Sequence, residues 1–190
     1  MPDQSIAVPL PEAIPSLATP DGVHKLAMFY LPDLHGASQS IRGDLGVLYR
    51  LSLPTELGGR AGNVVIRFRA PFRIDGSEEV AAPETLQPGD RVTARVVAER
   101  RREDDDGRTR TRPVLDEEVE AWGQALFERH GVAVQDVAAS RRWRVGQRGA
   151  RSFTIRDLTA TVCSVSADSD VLNRGLGRGK AFGYGMPIVL

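Results

Sequence analysis

The stretch Arg174 to Leu190, RGLGRGKAFGYGMPIVL, places five glycines (Gly175, Gly177, Gly179, Gly183 and Gly185) among Arg174, Arg178 and Lys180. A buried element is not written this way. Glycine lacks a Cβ, so it enters positive φ freely and lets another chain approach its backbone closely. Successive N–H groups in such a turn form a concavity that binds anions, and the cations beside it favour the same ligand. Phe182, Tyr184, Met186, Ile188 and Val189 then nearly alternate with other residues, as a closing strand does. The stretch predicts a basic glycine loop running into a final strand; the competing reading is a flexible tail.

Net charge is formally zero across the 190 residues, yet the charge is segregated. Between Ala138 and Leu190 lie nine Lys/Arg and three Asp, whereas Val114 to Asp136 holds six acids and one Arg. A neutral protein with its cations gathered in one segment can show a basic face to a polyanion. The single cysteine, Cys163, excludes an intramolecular disulfide and a cysteine-based zinc site, and its apolar run reads as core. The first residues lack the charged and apolar regions of a signal peptide, and no run reaches the ~18 apolar residues of a membrane span. The expected compartment is the cytoplasm.

Along the chain, Ile6 to Leu10 reads as a short strand. Thr19-Pro20-Asp21 opens a helix with a cap, a first-turn proline and an acid at the positive end of the dipole. That helix stops at Pro32 and carries His24 one turn in, beside the buried stripe of Val23, Leu26/Ala27 and Tyr30. Val47 to Leu53 and Asn63 to Ala70 form a hairpin, and Arg91 to Val97 a further strand. The charged run Glu99 to Pro113 is expected to be a solvated linker. Asp116 to His130 is the strongest helix, with Asp116 as its cap and Gly131 as its stop. Ser140 to Ile155 predicts a hairpin that projects Arg141, Arg142, Arg144, Arg148 and Arg151. The second half thus repeats the first. The expected fold class is α+β: two tandem ferredoxin-like (RRM-like) βαββαβ domains, residues 1–98 and 114–190, joined by linker 99–113.

Of three histidines, His35 sits in a Gly/Ser-rich loop and His130 at a helix C-terminus, where a cation is favourable. His24 alone has a position that asks for a role, although a lone helical histidine is commonly structural. No metal-ligand spacing, nucleophile elbow or Walker loop is present, so no metal or cofactor is expected. The glycine stretch precedes a strand instead of a helix, which argues against a dinucleotide loop. Cations interleaved with Trp143, Phe153, Phe182 and Tyr184 on a sheet suggest RNA.

These residues together resemble the CasE family, the CRISPR-associated endoribonucleases of subtype I-E systems. The ending GLGRGKAFGYGMPIVL is similar to the family's GxGxxKxxGxGL signature. Thr19 to Lys25 and Gly46 to Leu51 resemble its first helix and following strand, and Arg112-Pro113 into Glu118, Ala121 and Trp122 resembles the start of its second domain. The resemblance implies two ferredoxin-like domains that bind the CRISPR repeat stem-loop and cut precursor RNA at the 3′ base of the stem without metal. The 2′-hydroxyl attacks the adjacent phosphate, leaving a 2′,3′-cyclic phosphate, and the enzyme stays on the crRNA with the other subunits of Cascade. It implies His24 as the catalytic histidine. Arg141, Arg142, Arg144, Arg148 and Arg151 would lie in the stem's groove, and Gly175, Gly177, Arg178, Gly179 and Lys180 would hold phosphates. One departure stands out: Asp21 occupies the place where several relatives carry a tyrosine, which raises the alternative of a weak or inactive stem-loop-binding subunit of the same complex.

Overall fold

The computed structural model describes residues 2–32, 45–56, 62–103, 106–107, 109–146 and 151–190. Alternating apolar residues build the first sheet. In β1 (Asp3–Pro9) Ile6 and Val8 face inward, and in β3 (Asn63–Arg69) Val64, Ile66 and Phe68 do the same. With β2 (Leu48–Ser52) and β4 (Glu78–Val80) they form an antiparallel sheet in the order β2-β3-β1-β4, the strand order of a ferredoxin-like unit. Two helices follow β1: α1 (Leu10–Leu17) and α2 (Pro20–Phe29). The sequence predicts only the second; Pro11 and Pro15 within α1 weaken any helical pattern there. Pro11 lies in the first turn of α1, where no N–H partner is lost. Between β3 and β4 there is a turn in place of a second helix. Buried Gln4 pins it, donating to the Phe72 carbonyl and accepting from the Ile74 N–H and the Ser77 hydroxyl.

The second sheet runs β11-β5-β10-β8, again the ferredoxin-like order. Its strands are β5 (Arg91–Val97), β8 (Val132–Ala139), β10 (Phe153–Val165) and β11 (Pro187–Val189), with helix α3 (Val119–Glu128) between β5 and β8 and one turn of helix, α4 (Val171–Arg174), between β10 and β11. The fold is therefore α+β with two tandem ferredoxin-like units. Two placements differ from expectation. Arg91–Val97, assigned to the first unit, pairs along its length with β10 and β11, so the sheets divide between Val80 and Arg91. The charged run expected as a linker is a two-stranded hairpin, β6 (Glu99–Glu103) with β7 (Thr109–Pro113). The run is almost wholly charged or polar, but cross-strand pairing satisfies the backbone whatever the side chains are.

Local detail also shifts. Asp116 is not the cap of the long helix; it lies in a preceding 3-10 turn and pairs with Arg156. Cys163 is exposed, not core, because Leu158, Ala160 and Val162 take the inward positions of β10 and Cys163 falls on the opposite face. Strand β8 was missed because Val132, Val134 and Val137 do not keep a period of two and Asp136, at φ 53°, interrupts them. Each unit has its own apolar core, and Val97, Ile155 and Tyr184 form a third cluster with Trp143, Val145, Phe153 and Phe182.

A buried ion pair joins the units. Asp3 on β1 is fully buried and accepts from Arg67 and, through both oxygens, from Arg69 on β3. The same Arg69 guanidinium donates to the carbonyls of Leu172 at 2.7 Å and Pro187 at 3.2 Å, both in the second unit. Elsewhere Arg95 on β5 donates to Asp157, to Glu56 and to the Leu51 carbonyl of the first unit.

Candidate nucleic-acid interface and active site

Helix α2 starts where the sequence predicts. The Thr19 hydroxyl accepts from the Gly22 N–H at 3.0 Å, and Pro20 fills the first helical position. One turn in, the His24 ring lies against the C-terminal loop, with Nδ1 2.6 Å from the Ala181 carbonyl oxygen. A carbonyl only accepts, so Nδ1 carries the proton and the Nε2 lone pair is the basic end of the ring. The Tyr49 hydroxyl donates to the same oxygen at 2.8 Å, and the Phe182 ring centroid is 5.8 Å from that of His24. The histidine and the glycine loop, which sequence reading placed in separate halves with separate tasks, are thus in direct contact.

The glycines have a packing account. All five adopt positive φ, between 61° and 84°. A Cβ on Gly183 would stand 2.7 Å from Cε2 of the buried Tyr49 ring, and one on Gly185 would stand 2.1 Å from the Leu176 carbonyl oxygen. These residues let the loop lie flat on both sheets. The backbone bonds of the loop, among them Leu176 N–H to Gly185 and Gly185 N–H to Arg95, close it into a fixed shape. Gly177 donates to Nε2 of His130 at 3.3 Å, while the N–H groups of Arg178 and Gly179 hold no partner among the described residues. Gly175 is packed against Leu48 and Gly179 against Val97 and Tyr184.

The cations divide. Arg178 is bound to Glu99 in a largely covered pair, 27% and 10% exposed, so its guanidinium is committed to the protein. Lys180 is half-buried, and burial, with Arg174 as a second cause, pulls its pKa below the usual lysine value. Arg141 and Arg142 are exposed ahead of β9 (Trp143–Val145), which pairs with the start of β10 as the predicted hairpin. Arg144 is exposed and donates to Ser152. Arg148 lies outside the described residues. Arg151, at the far side of the turn, pairs with Asp21 at 2.8 Å and stacks over Phe182, its Cζ 4.7 Å from the ring centroid. Arg156, counted in the basic segment, is only 2% exposed and serves the interior, donating to the carbonyls of Ser140 and Val114.

His24, Asp21, Arg151, Phe182 and the turn at Lys180 and Ala181 are therefore brought together on one surface. Sequence reasoning missed the Asp21–Arg151 pair, which spans 130 positions; Asp21 standing one turn before His24 was the available signal. Tyr49 is committed to Ala181, and burial pushes the Tyr184 phenol up to about 12. A second basic surface, a cleft of about 730 Å³, is lined by Arg100, Arg101, Arg129, His130, Trp122 and Arg178.

No family model and no curated protein matches this chain. Solved structures with the same fold include the CRISPR endoribonuclease Cse3 bound to a 19-nucleotide RNA, at 19% identity and TM-score 0.71, covering all of both chains. Thermus thermophilus Cse3 bound to an RNA representing a pre-cleavage complex matches at 19% identity and TM-score 0.68, over all of this chain and 98% of that one. Cas6e from Escherichia coli K-12 matches at 16% identity and TM-score 0.64, over 100% and 98%. Among the described residues no helix is long and apolar enough to cross a membrane.

Proposed function

We propose that this protein belongs with the CasE endoribonucleases and cuts CRISPR precursor RNA at the 3′ base of the repeat stem-loop, by metal-independent attack of a 2′-hydroxyl on the adjacent phosphate. The observation that carries the reading is His24 locked against the Ala181 carbonyl. With its proton fixed at Nδ1, the imidazole presents Nε2 as the group that takes the 2′-hydroxyl proton. The new 2′-oxygen–phosphorus bond forms as the bond to the 5′-oxygen breaks, leaving a 2′,3′-cyclic phosphate and a 5′-hydroxyl. The leaving oxygen receives its proton from the imidazolium or from water. Arg141, Arg142 and Arg144 on the hairpin hold the stem through its phosphates, and the Arg178 and Gly179 N–H groups, which have no partner among the described residues, hold the backbone near the cut together with Lys180. Retention of the crRNA within Cascade is proposed with it, and a fold shared with a chain of a CRISPR RNA-guided surveillance complex supports it.

The test is incubation with a cognate repeat RNA in EDTA, with product ends resolved by phosphatase sensitivity. Cleavage to a cyclic phosphate that His24→Ala abolishes is expected. Uncut RNA, or equal cutting by His24→Ala, refutes it. A second reading, a stem-loop binder without cleavage, is favoured by one observation, Asp21 in the tyrosine's place; it predicts tight, salt-dependent binding with no product.

A further inference from the structure

Three contacts converge beside His24. Asp21 lies on the same face of α2, three residues earlier, where side chains are neighbours. Its carboxylate holds the Arg151 guanidinium at 2.8 Å, and that guanidinium lies over Phe182, whose ring faces His24. Phe182 is itself fixed by Phe153, at a centroid separation of 5.4 Å. Both ends of the ion pair are about half exposed, 51% for Arg151 and 52% for Asp21. An exposed pair of this kind adds little to stability, so its geometry is not explained by a need to hold the fold.

We infer that Arg151 is the cation that meets the scissile phosphate, and that Asp21 is the positioning residue that aims it; the inference rests on the endoribonuclease reading above. Strand cleavage by a 2′-hydroxyl builds negative charge on the non-bridging phosphate oxygens as the new phosphorus–oxygen bond forms. Arginine suits that charge because its planar fork donates two parallel hydrogen bonds and never loses its proton. Arg151 transfers no proton: the 2′-hydroxyl proton goes to His24 Nε2, and the 5′-oxygen departs as above. The Asp21 charge, which would repel a phosphate if bare, is neutralised by its partner. Asp21 thus supplies by a salt bridge what a phenol could not be asked to supply here, an aimed cation on a different element.

The experiment is single-turnover cleavage of repeat RNA at saturating protein, with Kd measured separately. Arg151→Ala is expected to lower the saturating rate roughly 100- to 1,000-fold, as removal of one preorganised charge donor does elsewhere, with a much smaller change in Kd. Arg151→Lys recovers only part of the rate. Asp21→Ala lowers it less, and Asp21→Ala/Arg151→Ala is no slower than Arg151→Ala alone, because Asp21 acts through Arg151. Phosphorothioate at the scissile phosphate slows the wild type more than Arg151→Ala. An Arg151→Ala rate equal to wild type at saturation, or fully additive losses in the double variant, overturns the inference. If the wild type cuts in an His24-dependent way while Arg151→Ala cuts equally fast, this inference alone fails; if the wild type does not cut, the endoribonuclease reading fails and takes the inference with it.

Discussion

Arg69→Met removes a guanidinium that is 2% exposed and makes four hydrogen bonds, two to the Asp3 carboxylate and two to carbonyls of the other unit. Methionine fills much of the volume, so the loss is electrostatic. Asp3 stays fully buried with only Arg67 as its cation, and the Leu172 and Pro187 carbonyls lose this donor. Removing one partner of a buried pair costs about 3–5 kcal/mol. The remaining Arg67 contact at 2.7 Å places this case toward the low end. For a chain of this size each kcal/mol lowers Tm by roughly 2–4 °C, so a fall of about 6–12 °C is expected by calorimetry. The double variant Asp3→Asn/Arg69→Met recovers part of the loss, because the unpaired buried charge is gone. A fall of under about 2 °C, or a double variant worse than the sum of the two singles, refutes the account of a charge pair that couples the units.

Gly183→Ala forces a Cβ against Tyr49 at positive φ and is expected to cost about 1–3 kcal/mol or more, shifting the Ala181 carbonyl from His24; unchanged urea stability contradicts it. Burial first, then the charges of Lys180 and Arg129, holds the His130 imidazole below its usual 6.5. The unfolded chain then binds more protons between that lowered value and 6.5, so stability falls as pH drops through 6.5 and the penalty is complete below the folded value. His130→Gln flattens this dependence, and equal Tm changes from about pH 7.5 to 5.5 in both proteins contradict it. Loss of metal-free cleavage in His24→Ala and of saturating rate in Arg151→Ala complete the set.

What was legible in the sequence was whatever depends on nearest neighbours along the chain. The Thr19-Pro20-Asp21 cap, the alternation of Val64, Ile66 and Phe68, and the positive-φ glycines each state a local conformational preference, and the structure realises them. Backbone pairing is not local. Arg91–Val97 looks the same whichever sheet it joins, and only the edges offered by β10 and β11 settle its place. The polar run at 99–113 showed no apolar period, yet hydrogen bonding across a hairpin does not need one.

For the site, the sequence alone determined the candidate residues: a lone histidine one turn into a capped helix, an arginine-bearing hairpin and a basic glycine loop. Only the tertiary structure decided how they meet. It put the glycine loop's Ala181 carbonyl on His24, turned most of the glycines into packing contacts, drew Arg178 to Glu99 and Arg156 into the interior, and set Arg151 on Asp21. The reason is physical. Residue type and spacing set what a side chain can donate, accept or bury, whereas distances between groups 130 or 157 positions apart are set by how two sheets pack.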